Sequence, residues 1–159
     1  MTETEIIAFV SSLDGVAATT ASAQSGPPES AWGDSFFFYD PEGSEANQRF
    51  PFATLVCSNY PGFDESSQLD RDGVFRLNAA VGRTAYEQLL GHSPIDHAAH
   101  SDYYDYAELD VLLPHPIYAT QGWVSILNPG PRTTEVARRL LVEAHDLARS
   151  RWRRRQGRD

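Results

Sequence analysis

In PHPIYATQGWVSILNPG, residues 114–130, a histidine sits between two prolines just ahead of an apolar run with the character of a strand. An imidazole fixed in this way can serve as a general base or donate a hydrogen bond to a bound molecule, because its ordinary pKa lies close to neutrality. It can equally bond a nearby backbone group and fasten the turn. Tyr118, Gln121 and Trp123 follow His115 on the path into the strand, so any chemistry at the histidine would have aromatic and amide neighbours. In GVFRLNAAV (73–81), period-two alternation puts Phe75, Leu77, Ala79 and Val81 on one face and Val74, Arg76, Asn78 and Ala80 on the other. A buried arginine or asparagine must be met by hydrogen bonds or by a ligand. The planar fork of Arg76 suits an acidic neighbour in the protein and a bound carboxylate equally well. The same alternation in WGDSFFFYD (32–40) groups Asp34 with Trp32, Phe36 and Phe38, and in GWVSILN (122–128) it groups Trp123 with Ser125 and Leu127. If the apolar faces pack on helices, Arg76, Asn78, Asp34, Trp32 and Trp123 line an aromatic, partly polar concave surface beside His115.

A second set of histidines lies in HSPIDHAAHSD, where His97 and His100 are three apart, with His92, Asp96 and Asp102 close in sequence. A metal site needs three or four convergent ligands, and this segment has the composition of an exposed loop, so no metal is assigned to it. His145 borders the apolar stripe of a helix and reads as a packing residue. The single cysteine, Cys57, lies in the apolar segment PFATLVCS and reads as a buried, unreactive thiol. There is no glycine-rich phosphate loop, GxSxG elbow, HExxH, CxxC or dinucleotide fingerprint, and no cofactor is expected.

The elements that must position these residues follow from pattern and punctuation. Thr2 or Thr4 can cap a helix whose apolar residues Ile6, Ile7, Phe9, Val10 and Leu13 cluster on one side, ending at Asp14-Gly15. Strands are expected at Val16–Ala23 and within 32–40, 51–58, 73–81 and 122–128, joined by turn-forming segments such as PEGSEANQR and NYPGFDESSQLDRD. Short strands with polar connections make an antiparallel sheet, not a parallel βαβ array. RTAYEQLLGH reads as a helix turning Tyr86, Leu89 and Leu90 inward, and residues 106–113 as a helical turn or two docking Leu109, Leu112 and Leu113 before Pro114. Apolar residues spaced three and four apart from Val136 to Trp152 predict a long C-terminal helix from about 133 to 153. The whole is an α+β fold: one domain over 1–155, a sheet of about five strands packed on the first and last helices, and a basic disordered tail over 156–159.

With 159 residues and 41% apolar content the chain can bury one core and has no room for two. No apolar run approaches the roughly 20 residues of a membrane span, and the N-terminus is acidic where a secretion signal would be basic, so a cytosolic location is expected. The net charge of −9 is unevenly spread: residues 1–131 hold 18 acids and four arginines, whereas residues 132–159 hold nine arginines and four acids. An acidic body repels nucleic-acid phosphates, and arginines at the end of a helix complement its dipole, so nucleic acid is not an expected partner.

The succession AWGDSFFFYDPEG, PFATLVCSNYPGFDE, LDRDGVFRLNAAVG and LLPHPIYATQGWVSILNPGPRT, closed by LLVEAHDLARSR, resembles an uncharacterised family common in actinobacteria, the domain of unknown function numbered six-one-nine-four. More distantly, a strand containing His and then Trp ahead of a long terminal helix is similar to the MmcQ/YjbR-like proteins. That resemblance implies a frataxin-like α+β fold and no activity or catalytic residues. Three functions stand open from the residues. The first is a small-molecule-binding domain for an acidic or aromatic metabolite, in secondary metabolism or resistance, using Trp32, Asp34, Asn78, Gln121 and Trp123. The second is a cofactor-independent enzyme in the same pocket, with His115 as base and Arg76 or Tyr118 stabilising developing charge for proton transfer, cyclisation or hydrolysis. The third is a protein-interaction or regulatory module meeting a basic partner through NYPGFDESSQLDRDG, read as an exposed acidic loop. Oligomeric state is not legible in the chain.

Overall fold

Thr2 opens the first helix with a reciprocal cap: its hydroxyl accepts from the Glu5 amide at 3.1 Å while the Glu5 carboxylate accepts from the Thr2 amide at 2.7 Å. The computed structural model describes residues 1–44 and 47–158. Helix α1 (Glu3–Ser11) leads into β1 (Val16–Thr20), β2 (Ser35–Tyr39), β3 (Ala53–Val56) and β4 (Arg76–Ala80). Then come α2 (Gly82–Leu90), the four-residue α3 (His97–His100), β5 (Leu112–Pro114), β6 (Trp123–Leu127) and α4 (Thr134–Gln156). The six strands form one antiparallel sheet in the order β1-β2-β3-β4-β6-β5.

Sheet register explains the division of faces. Phe37 pairs with Ala53, Ala53 with Ala79 and Ala79 with Val124, while Leu55, Leu77 and Ile126 form the next row. These side chains are buried against Ile6 and Val10 of α1, Tyr86 of α2, and Ala137, Leu140, Leu141 and Ala144 of α4. The helices therefore cover one face, and the α+β expectation holds, including the long terminal helix. On the other face Phe36, Thr54, Asn78 and Ser125 lie in one row and Val56, Arg76 and Leu127 in another. A smaller apolar cluster of Val56, Leu69, Leu113 and Leu127 covers one end of that face.

Three expectations need correction. The sheet has six strands, because LLP at 112–114 pairs with β6 where a helical turn was expected; Leu113 is buried but Leu109 is 40% exposed. Leu89 lies at the surface, whereas Tyr86 is buried and Leu90 is half-buried against the core. The acidic loop 59–73 is not wholly exposed: Asp64, Ser67 and Leu69 are buried, and the loop folds back over the sheet. The PEGSEANQR connection includes Glu45 and Ala46, which lie outside the described residues, as does Asp159 of the terminal tail. Gln156, where that tail was expected to begin, is the last residue of α4.

The turn ahead of α4 is built around one carboxylate. Asp110 has a left-handed backbone (φ 57°) and accepts hydrogen bonds from the amides of Gly130, Arg132 and Thr133 at 2.8 to 3.0 Å and from the Thr133 hydroxyl at 2.5 Å. Burial raises its pKa, but these donors outweigh it and hold the group at about 2. Asp110→Ala is expected to destabilise the domain by about 1–3 kcal/mol, since it orphans three amides at once. Because the folded pKa is depressed, this stabilisation is complete above the unfolded value near 4 and is lost as pH falls toward 2. Urea titrations of wild type and Asp110→Ala at pH 7 and pH 3 measure it. A gap between them that does not narrow at pH 3 would refute the assignment.

Candidate functional site

The helix-free sheet face is the floor of a cavity of about 600 Å³, a size suited to a small organic molecule. Phe36, Thr54, Arg76, Asn78, Ala80 and Trp123 contribute from the strands. Tyr60, Phe63 and Asp64 come from the 59–73 loop, and His115, Tyr118 and Gln121 from the turn between β5 and β6. Phe50, Phe63 and Tyr118 are respectively 84%, 58% and 38% exposed, so aromatic rings with free faces rim the opening.

Arg76 is 1% exposed and bound within the protein. Its Nη1 and Nη2 donate to the two carboxylate oxygens of Asp64 at 3.0 and 2.6 Å, Nη1 donates also to the Ser67 hydroxyl at 2.8 Å, and Nε donates to Asn78 Oδ1 at 2.8 Å. Four of its five N–H groups are thereby engaged, leaving one on Nη2. Asn78 Oδ1 also accepts from Ser125, and its amide donates to Thr54. The acidic-neighbour role anticipated for Arg76 is the one it fills, and Asp64 is the partner. The pair joins the 59–73 loop to the sheet and lies in the cavity floor without net charge.

His115 is 3% exposed, and its environment fixes its tautomer. Nδ1 accepts hydrogen bonds from the backbone amides of both Ile117 and Tyr118 at 3.0 Å. Both donors require a lone pair on Nδ1, so the ring's proton is on Nε2. Burial, assisted by the positive charge of Arg76, holds the imidazole pKa well below its usual range. Nε2 has no protein partner among the described residues, and the ring lines the cavity. His115 is thus a neutral donor. Its geometry speaks against a general base, because accepting a proton would place N–H at Nδ1 against two N–H donors. Tyr118 and Trp123 pack on the ring with centroids 4.9 and 6.1 Å away.

The turn's position depends on a close backbone approach. Gly122, with φ +80°, accepts from the amides of Val81 and Gly82, and a Cβ on it would lie 3.0 Å from the Gly82 backbone. Only glycine fits there.

Of the residues anticipated for the site, Arg76, Asn78, His115, Tyr118, Gln121 and Trp123 come together around the cavity. Trp32 and Asp34 do not line it. Trp32 sits at the end of a short 3-10 turn, 41% exposed, with its indole N–H donating to Pro27. Asp34 is fully buried: it accepts from the Cys57 amide at 2.8 Å and from the Tyr60 hydroxyl. Burial raises its pKa against the effect of those bonds, and burial likewise pushes the Cys57 thiol up to about 12, leaving it inert near neutrality. Tyr60, Asp64 and Phe63 were missed because the loop's Pro, Gly, Asp and Ser content gives no sign that it folds inward.

The other histidines form a packed group. His92 and His100 stack at 4.2 Å, His92 Nε2 lies 2.9 Å from the Tyr104 hydroxyl, and burial lowers the pKa of His97. No three His, Cys, Asp or Glu side chains among the described residues are arranged to hold a metal ion. His145 packs edge-on against Tyr39 and Phe52 and bonds the Asp14 carbonyl at 2.7 Å.

No helix among the described residues is long and apolar enough to cross a membrane. No curated protein and no solved structure matches the chain. A family profile does, over residues 1–157, and by that match the chain belongs to DUF6194, a family of unknown function.

Proposed function

We propose that this protein binds a small aromatic or otherwise planar organic molecule carrying a hydrogen-bond acceptor, and that it holds the molecule without transforming it. The observation that carries this reading is the neutral His115, whose Nε2–H is without a protein partner in a cavity walled by Phe36, Phe63, Tyr118 and Trp123. A donor that faces the cavity without a protein partner is free to be taken up by a carbonyl or ether oxygen of a ligand. The residual N–H of Arg76 offers a second such contact. Binding is favoured over turnover because the cavity has no free proton acceptor of suitable strength among the described residues: His115 Nδ1 accepts two amides, Asp64 is held by Arg76, and Asp34 lies behind Tyr60. A carrier or sequestering protein of secondary metabolism would need no more than this.

Ala80 faces the cavity, so Ala80→Phe fills it from the floor with little demand on the core. In a thermal-shift panel of coumarin, indole-3-carboxaldehyde and 2-naphthoate, wild type is expected to gain up to about 3 kcal/mol at ligand concentrations near 100 times Kd. The gain should vanish in Ala80→Phe. Stabilisation that survives Ala80→Phe undiminished would place the ligand elsewhere and sink this reading.

A further inference from the structure

A smaller groove of about 210 Å³ adjoins the cavity, and the two share Phe50, Pro51, Ala80 and Arg151 as a common wall. Its other side is the C-terminal half of α4, where Ala144, Leu147, Ala148, Arg151 and Arg155 recur at spacings of three and four. The stripe that packs α4 on the sheet therefore continues beyond it as two guanidinium groups over the groove. Two arginines of this helix pair with an acid one turn earlier: Arg138 with Glu135 at 2.6 Å and Arg149 with Asp146 at 2.9 Å. Arg151 has Leu147 and Ala148 at those positions, and Arg155 has Arg151 and Trp152. Neither guanidinium is ion-paired among the described residues. Two like charges at i and i+4 repel, so the helix bears this arrangement at a loss unless an anion lies between them.

We propose that this groove is an anion subsite: a ligand whose planar body lies in the cavity presents a carboxylate, phosphate or sulfonate to Arg151 and Arg155. The inference rests on the reading of the cavity as a small-molecule site and adds the charge of the ligand. Charge distribution separates the two ends. The floor carries Arg76 already neutralised by Asp64, whereas the rim carries two cations without counter-charges among the described residues, in a chain whose net charge is −9. Asp40, beside the groove residue Tyr39, accepts from the Ser44 amide and from the side-chain amides of Asn47 and Gln48 instead of from either arginine. The carbonyls at the end of α4 bring partial negative charge, which Arg153, Arg154 and Arg158 offset. An anion approaching this rim meets the positive end of the molecule's field.

Two fluorescent probes of nearly one shape test this: 8-anilinonaphthalene-1-sulfonate and the uncharged N-phenyl-1-naphthylamine. Wild type is expected to bind the sulfonate about 5- to 20-fold more tightly than the neutral probe at low salt, with that ratio shrinking as salt screens the contact. Arg155→Gln, at a residue outside the cavity itself, should cut the ratio several-fold, and Arg151→Gln/Arg155→Gln should bring it close to one. Equal affinities in wild type, or a preference that survives the double substitution, would overturn the anion subsite while leaving the cavity reading intact. Failure of both probes to bind wild type would overturn the cavity reading and the subsite with it.

Discussion

Arg76→Ala is expected to lower the unfolding free energy by about 3–5 kcal/mol, enough to bring the melting temperature down by on the order of 10 °C in a domain of this size. The reason lies in what remains. Asp64 is 6% exposed, and without the guanidinium its carboxylate stays buried with no counter-charge, while Ser67 and Asn78 each lose a donor. The 59–73 loop also loses its main attachment to the sheet, and with it go Tyr60 and Phe63 from the cavity wall. Arg76→Lys should recover only part of the loss, since one ammonium cannot reproduce the fork that engages Asp64 through two nitrogens and Asn78 through a third. Removing both partners is a gentler change than removing one: Asp64→Ala/Arg76→Ala should be about 2 kcal/mol or more better than the sum of the single losses. Chemical denaturation of the four proteins gives the cycle. A loss below about 1 kcal/mol for Arg76→Ala, or simple additivity in the double variant, would mean that the pair is not the buried ion pair described here.

How far that pair could be read from the sequence illustrates what pattern carries. Alternation in GVFRLNAAV places Arg76 and Asn78 together on the face away from the helices, and sheet register sets Asn78 between Thr54 and Ser125. The apolar stripe of α4 is equally legible, because a period of 3.6 repeated over five turns leaves little freedom. What is not legible is the partner. Asp64 sits twelve residues before Arg76 in a segment whose composition is that of a solvated turn, and only the fold of the loop brings it inward. Asp34 fails for a different reason. Its carboxylate is taken up by the Cys57 amide and the Tyr60 hydroxyl, so Asp34 lies behind Tyr60 of the loop and does not reach the cavity, and the strand pattern carries no sign of that covering loop. The three-residue strand β5 is too short to show any period and ends on a proline, which reads as a helix stop as readily as a strand end.

These two polar devices divide the work at the cavity. The Arg76–Asp64 pair fixes the loop wall, and His115 fixes the turn wall through two amide bonds to Nδ1. Either could be removed from a binding site and replaced by apolar packing if walls were all that was required. The donor left over at His115, and the single N–H left over at Arg76, are what packing alone would not supply. In the proposed reading, charge at the Arg151 and Arg155 rim adds cations at the mouth to neutral donors at the floor.

His115→Asn separates the structural role of this histidine from its protonation. The asparagine side-chain oxygen can take the place of Nδ1 as acceptor for the Ile117 and Tyr118 amides, whereas His115→Ala leaves both orphaned. At pH 7 the asparagine variant is expected to lose about 1–2 kcal/mol, from ring packing against Tyr118 and Trp123, and the alanine variant about 1–3 kcal/mol more. Acid narrows the gap. The folded imidazole has its pKa well below 6.5, so above that pH neither folded nor unfolded chain holds the proton and stability is at its full value. Below it the unfolded chain gains a proton that the folded chain refuses, and wild type loses stability at up to about 1.4 kcal/mol per pH unit. By pH 5 this amounts to at most about 2 kcal/mol, a loss that His115→Asn does not suffer through this residue. His97, whose pKa is also lowered by burial, adds an acid slope of its own to both proteins, so the difference between them isolates His115. Urea titrations at half-unit steps from pH 7.5 to pH 5 should therefore show the wild-type advantage over the asparagine variant shrinking. Parallel curves over that range would show that His115 takes up its proton in the folded state, which the two amide bonds to Nδ1 oppose, and would overturn the neutral tautomer on which the cavity's proposed use depends.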